Sequence, residues 1–235
     1  MDQEFTPVPN WIPPPRPGAD PLIGRYVRLE RLSEGHASDL FDANQDSDLI
    51  WKYLPYGPFE TEHNYRDWVR VQATSTDPQF YAITNADTGK AEGVLSYLRI
   101  NPDAGSIEVG HINLAKRLQK TKAATEAIYL TIKWAFENGY RRFEWKCNAL
   151  NMGSRRAAER FGLSYEGVFR QAMVVNGFNR DTAWFAAIDQ EWPALKEAFE
   201  TWLSPTNFDA KGNQIAALSA LTRPILVARD PLATN

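Results

Sequence analysis

Residues 106–147 limit the folds open to this chain more than any other segment. Ile107-Glu108-Val109-Gly110-His111-Ile112-Asn113-Leu114 alternates with period two and reads as a strand over 106–115. Ala124, Ala127, Ile128, Ile132, Ala135 and Phe136 then recur at the spacing of one helix face, which predicts a helix over 121–137, stopped by Asn138-Gly139. Arg141 to Cys147 alternates again. Strand, helix and strand in this order make a right-handed crossover, which leaves the two strands parallel. The start of that helix has a chemistry of its own. First-turn N–H groups lack intrahelical partners, and the dipole places partial positive charge beside them. Small residues in Gln119-Lys120-Thr121-Lys122-Ala123-Ala124-Thr125 let an anion approach that backbone, and two lysines flank it.

The remaining segments assemble around this unit. Seven prolines between residues 7 and 21 predict an extended, polyproline-like arm over 1–22. Arg25 to Leu32 reads as a strand, and Ser33 as the cap of a helix reaching about Ala43. Proline and glycine keep Tyr53-Leu54-Pro55-Tyr56-Gly57-Pro58-Phe59 out of regular structure, and Thr61 starts a second helix. Strands follow at 79–84 and 92–100. A helix starts at Asn151 with Gly162 at its C′ position, and strands at 164–175 and 178–188 are joined by an Asn176-Gly177 hairpin turn. A closing helix spans 189–203, and residues 204–235, of weak periodicity, form a tail that packs on the surface or is partly ordered. The expectation is one domain over 23–203 of α/β (α+β) class, with a mixed, mostly antiparallel sheet and helices on both faces.

Composition removes several function classes. A net charge of −3 gives no general reason to expect nucleic acid or bare membrane as a partner. No apolar run approaches the ~20 residues of a bilayer span, and Met1-Asp2-Gln3-Glu4-Phe5 lacks the basic and apolar regions of a secretory signal. The single cysteine, Cys147, lies in a strand-like run and reads as a buried, inert thiol, so a reducing, cytoplasmic setting is expected. His36, His63 and His111 show no metal-ligand spacing, and no Gly-x-Ser-x-Gly elbow is present. No metal is expected.

In order and type of element, residues 25–190 resemble the GNAT superfamily of N-acetyltransferases, nearest to its RimJ/RimL type. Three motifs carry the resemblance. Ile107-Glu108-Val109-Gly110 is similar to the family strand that bears a glutamate before a glycine. Gln119-x-x-Lys122-x-Ala124 resembles the family's coenzyme A motif, (Arg/Gln)-x-x-Gly-x-(Gly/Ala), with Lys122 where the first glycine is expected. Asn151-x-x-Ser154, followed by Glu159-Arg160-Phe161-Gly162-Leu163, is similar to the family's Asn-x-x-Ser helix and its exit.

The resemblance implies transfer of an acetyl group from acetyl-CoA to an amine, at a site where two parallel strands splay apart. The acceptor implied is a protein N-terminus or a small-molecule amine such as an amino acid, polyamine or antibiotic. Glu108 is then the candidate general base, acting through water; the other reading is an ion pair with an arginine or the cap of a loop. Main-chain groups of Ile112, Asn113 and Leu114 would meet the pantetheine arm. Amides from Gln119 through Lys120, Thr121, Lys122, Ala123 and Ala124 to Thr125 would meet the pyrophosphate. Asn151 would bond the pantetheine or else only cap its helix. Ser154 would serve the leaving thiolate or else be a small residue at a helix contact. Tyr53, Tyr56 and Phe59 would line the acceptor side or else form a hydrophobic cluster under their loop. His111 is a secondary candidate for proton transfer. A different class stays open: a non-catalytic acyl-CoA-binding or sensing module. The Pro-rich arm and the tail are candidates for wrapping a partner subunit in a homodimer, or the same subunit.

Overall fold

The computed structural model describes residues 7–45 and 48–233. Eight strands form one sheet: β1 (Leu22–Ile23), β2 (Val27–Arg31), β3 (Gln79–Asn85), β4 (Ala91–Asn101), β5 (Ser106–Leu114), β6 (Arg142–Asn148), β7 (Ser164–Val175) and β8 (Phe178–Ile188). Their spatial order is β1-β2-β3-β4-β5-β6-β8-β7. Neighbours are antiparallel except β5 and β6, the pair joined by the long crossover helix. The mixed sheet, its single parallel pair and the hairpin between β7 and β8 are as the sequence predicts. At that hairpin Asn176 and Gly177 take φ of 51° and 81°, the left-handed pair a type I′ turn requires.

Helices cover both faces. On one side, α1 (Ala37–Asn44) and α2 (Glu62–Ala73) pack Leu40, Tyr65 and Val69 against Phe80, Ala82 and Val94. On the other, α3 (Lys122–Glu137) and α5 (Trp192–Leu203) lay Ile128, Ile132, Phe136 and Phe199 over Ile107, Val109 and Phe143, with α4 (Met152–Arg160) beside them. Each such large side chain, once buried, contributes about 1.5–3 kcal/mol. Period-two alternation sorts the strands between the two cores: Phe80 and Ala82 face one, Tyr81 and Ile83 the other. Glu126 of α3 is also buried, because it accepts N–H bonds from Arg25 (2.9 Å), Tyr26 (2.6 Å) and Val27 (3.0 Å). A side chain at Gly24 would collide with that carboxylate.

Two predicted helices begin differently from the periodic reading. Each opens with a 3₁₀ turn, at Glu34–His36 and Asp189–Glu191. In each turn the third residue reaches back: His36 Nδ1 accepts from Ser33 N–H, and Glu191 Oε2 from Ile188 N–H. The wider turn then continues as α1 and α5.

The tail is tied to the domain. After α5 it folds back through a short helix, α6 (Leu218–Thr222), and Asn207, Leu218, Thr222 and Asp230 are buried. Asp230 forms a two-bond ion pair with Arg155 of α4 at 2.6 Å and 2.6 Å, with both side chains almost fully enclosed. Periodicity could not reveal this, because the contacts are single residues answering a buried charge. The arm likewise lies against the sheet: Pro15 and Gly18 carbonyls accept from Tyr140 and Gln79, and Pro14 and Pro17 are buried.

One irregularity opens the sheet. Val94 pairs with Asn113 but Ser96 with Gly110, so β5 carries an extra residue there. His111 absorbs it at φ 51°, a left-handed conformation costing roughly 1–3 kcal/mol in a non-glycine residue. The parallel ladder between β5 and β6 ends at the pair Val109 and Trp145, and beyond it the strands part.

Candidate active site

The parting strands open a cleft with two cavities, of about 770 Å³ and 970 Å³. Ile112, Trp145, Asn151 and Ser154 border both, so the cavities meet at the mouth of the splay. Both lie in the range of small-molecule sites.

The larger cavity lies against the start of α3. Thr121 is the N-cap: its Oγ1 accepts from Ala124 N–H at 3.1 Å and donates to the Leu118 carbonyl at 2.7 Å. Thr125 N–H closes the first helical turn on Thr121 O. The N–H groups of Lys120, Lys122 and Ala123 are left without a partner among the described residues. These three are the unpaired amides of the Gln119–Thr125 stretch. Lys120 stands just outside at φ 63°. Lys122 does not point into open solvent; its Nζ lies 3.9 Å from the Phe208 ring centroid and 5.5 Å from that of Tyr26. Phe208, Gly212 and Gln214 of the tail wall this cavity, with Gln214 held by Trp202 Nε1 at 2.8 Å. Asn113 is 2% exposed and lines the same cavity with neither Oδ1 nor Nδ2 bonded. Leu114 O accepts from Gln119 Nε2 at 3.0 Å. Burial holds the Arg160 guanidinium below its usual range, and its Nη1 contacts Thr125 Oγ1 at 3.3 Å.

The smaller cavity is a different environment. Glu108, on β5, is almost fully buried and held by Arg99 Nη1 (2.9 and 2.8 Å) and Lys146 Nζ (2.9 Å). Burial pushes its carboxyl above the ordinary glutamate range, against the pull of Lys146 and Arg99. Lys146 also bonds Glu144 at 2.7 Å and lies 3.7 Å from the Trp184 ring centroid. His111 borders the same space with Nδ1 buried and unbonded. Burial first, then the charges of Arg99 and Arg180, lower it to about 4, so it is neutral at physiological pH and a weaker proton acceptor than its residue type suggests. Arg180, Thr182 and Trp184 of β8 complete the wall.

At the junction, Asn151 Oδ1 caps α4 by accepting from Ser154 N–H at 3.1 Å. Ser154 Oγ accepts from Trp145 Nε1 at 2.9 Å, which turns its hydroxyl proton toward Cys147 or the cleft. Burial pushes the Cys147 thiol up, and a hydrogen bond with Ser154 only partly offsets it. A thiol kept protonated is a poor nucleophile.

The structure thus brings Glu108, Ile112, Asn113, Leu114, Gln119–Thr125, Asn151 and Ser154 around one cleft. Of the loop aromatics, Tyr53 borders it and donates to Leu150 O at 3.2 Å. Tyr56 and Phe59 do not line it; they pack with Trp51, Tyr65 and Trp68, and Tyr56 stacks on His111 at 5.6 Å. The sequence reading passed over Arg99, Lys146, Arg180, Thr182 and Trp184. A signal existed for Lys146 alone: Glu144, Lys146 and Asn148 are polar on alternate positions of a strand whose other face is core, which marks a polar face inside the protein, whereas Arg180 and Thr182 sit in an unbroken polar run, Asn179 to Thr182. No group of His, Cys, Asp and Glu able to hold a metal occurs among the described residues, and no described helix is long and apolar enough to cross a membrane.

Comparison with known proteins places this geometry in context. A family profile described as an acetyltransferase (GNAT) domain matches residues 27–164. A GCN5-related N-acetyltransferase from Brucella melitensis is 43% identical, with 92% of this chain and 100% of that one aligned at a TM-score of 0.89. A probable GNAT-family acetyltransferase from Chromobacterium violaceum is 38% identical, over 83% and 98% of the two chains, at 0.77. A ribosomal L7/L12 alpha-N-protein acetyltransferase, RimL, shares the fold at 21% identity over 75% and 98%, with a TM-score of 0.62. No curated protein sequence matches the chain.

Proposed function

The chain belongs to the GNAT acetyltransferase family, and from that premise we propose that it transfers an acetyl group from acetyl-CoA to a primary amine by direct attack, in the manner of the RimJ/RimL type. The observation that carries this reading is the splay of β5 from β6 beyond Val109 and Trp145, where two cavities meet at Ser154. One cavity offers unpaired amides and the other a buried carboxylate, which are the needs of a phosphate-bearing donor and of an amine that must lose a proton.

The fit to coenzyme A rests on the chain's own atoms. Lys122 and Ala123 N–H are positioned for pyrophosphate, and the orphaned Asn113 amide and the open edge of Ile112 to Leu114 for the pantetheine arm. Lys120, Thr121, Ala124 and Thr125 shape the turn that presents those amides. Bound acetyl-CoA supplies the activated acyl group. Glu108 takes the proton from the attacking amine through water, and its raised carboxyl pKa brings it closer to working pH. Arg99 and Lys146 fix its position. Ser154, oriented by Trp145, donates to the departing sulfur. Asn151 holds the α4 N-terminus and, through its Nδ2, the coenzyme arm. The protonated, buried Cys147 argues for one-step transfer over an acyl-cysteine route.

Calorimetry with acetyl-CoA tests the donor half, and a thiol-release screen over amine acceptors tests the chemistry. No binding at millimolar acetyl-CoA overturns the reading. Binding with no thiol release from any acceptor replaces it with a sensing module.

A further inference from the structure

Strand β8 presents Arg180, Thr182 and Trp184 on one face, and this stripe walls the smaller cavity. Three polar atoms on it are buried without a partner: Arg180 Nε, Thr182 Oγ1 and Trp184 Nε1. Thr182 is 6% exposed, so its hydroxyl is enclosed by the cavity and not by bulk water. The cavity has two other cations, Arg99 and Lys146, and both are engaged by Glu108. Arg180 makes no ion pair among the described residues. Its charge nonetheless reaches across the space, since it helps hold the facing His111 low.

This pattern has a chemical meaning. Glu108 is a single negative charge already held by two cations, so a further cation entering the cavity meets an uncompensated guanidinium. A guanidinium, a hydroxyl and an indole N–H at alternate strand positions are three donors, spaced roughly 7 Å apart along the strand. Apolar side chains on β7, Phe169 opposite Thr182 and Met173 opposite Arg180, form the exposed rim beside them. Unpartnered donors grouped with one unpaired fork-shaped cation match a carboxylate.

Resting on the acetyltransferase reading above, we propose that Arg180, with Thr182 and Trp184, recognises a carboxylate on the acceptor, so that the substrates are carboxylate-bearing primary amines and not polyamines or other cationic amines. The carboxylate is that of a free amino acid or of an acidic residue at a peptide N-terminus; both present the same group to the stripe.

The test is a thiol-release assay on matched acceptors. Free L-amino acids are compared with their carboxamides, and peptides beginning with Asp or Glu with those beginning with Asn or Gln. Whichever pair responds identifies the source of the carboxylate. The wild-type protein is expected to favour the acid of that pair by about 10- to 100-fold in kcat/KM, the scale of a charge-assisted hydrogen-bond pair. Arg180→Met is expected to abolish that preference through KM, the acid losing far more than the carboxamide, while calorimetry finds the acetyl-CoA Kd retained. Arg180→Lys is expected to restore part of it. Equal use of acid and amide by the wild type overturns the proposal, as does a loss in Arg180→Met that falls equally on both. Acetylation of neutral amines in either case leaves the transferase reading standing. Acetyl-CoA binding with no amine acetylated removes that reading and the carboxylate proposal together.

Discussion

The two halves of the cleft handle polarity by opposite means. At the start of α3 the proposed working groups are backbone amides, framed by a Thr121 cap. Between β4, β5, β6 and β8 they are side chains: buried Glu108 and Lys146, with Arg99 and Arg180 reaching in from the half-exposed rim. A site made of amides tolerates changes of side chain, which is why Lys122 can stand where the related motif carries glycine. Its Nζ simply turns onto Phe208 and Tyr26. A site made of buried charges has no such tolerance, because removing one group leaves another unpaired in a low dielectric.

That contrast can be broken most sharply at Glu108. Glu108→Gln keeps the shape and removes the proposed base, so kcat is expected to fall by about 10²- to 10⁴-fold while calorimetry finds acetyl-CoA affinity unchanged. In the wild type the rate should rise as pH climbs through a pKa above the ordinary glutamate range, since the base must be deprotonated, and that acid limb should vanish in the variant. An unchanged kcat with a true acceptor would make Glu108 a purely structural charge.

The next effect belongs to the wall of the helix-start half. Asp230→Ala leaves Arg155 buried and unpaired, at an expected cost of about 3–5 kcal/mol in thermal or denaturant unfolding. Burial works to raise the Asp230 carboxyl, but Arg155 and the Leu232 N–H outweigh it and hold it below the usual range. A depressed folded pKa means the stabilisation is complete above the unfolded value of about 4 and is lost as pH falls through the lower folded value. The wild type should therefore lose this contribution only in strong acid, and the variant should show no such component. Coenzyme affinity should weaken before acceptor KM does, because Phe208, Gly212 and Gln214 border only the larger cavity.

The smallest effect is expected at Lys122. Lys122→Glu reverses a charge beside the cradle without removing an amide, so acetyl-CoA binding should weaken by only about 10-fold in calorimetry. Complete loss of binding would show that the lysine, and not the backbone, holds the phosphates, and the contrast between the halves would fall.

Much of the fold was legible locally. The Asn176-Gly177 turn placed β7 and β8 on either side of it, at the bounds observed. The crossover over 106–147 dictated the parallel pair. The helix-start half was legible for the same reason: a strand, a capped turn and small residues are neighbours in sequence. Locally the splay was not legible, and only the family resemblance implied it, since it depends on an extra residue at His111 that shows only when β5 is paired with β4. Nor were the partners of Glu108, which come from β4 and β6, or the tail's role, which rests on Asp230 meeting Arg155 across 75 residues.

Element order, the crossover and the anion-ready turn follow from local sequence, because periodicity, capping and turn chemistry act over a few residues. Which charges are paired and which, like Arg180, are left facing the cleft emerges once distant strands meet. Ion pairing and burial depend on side chains brought together from distant strands, and the strength of each pair depends on how little water remains around it.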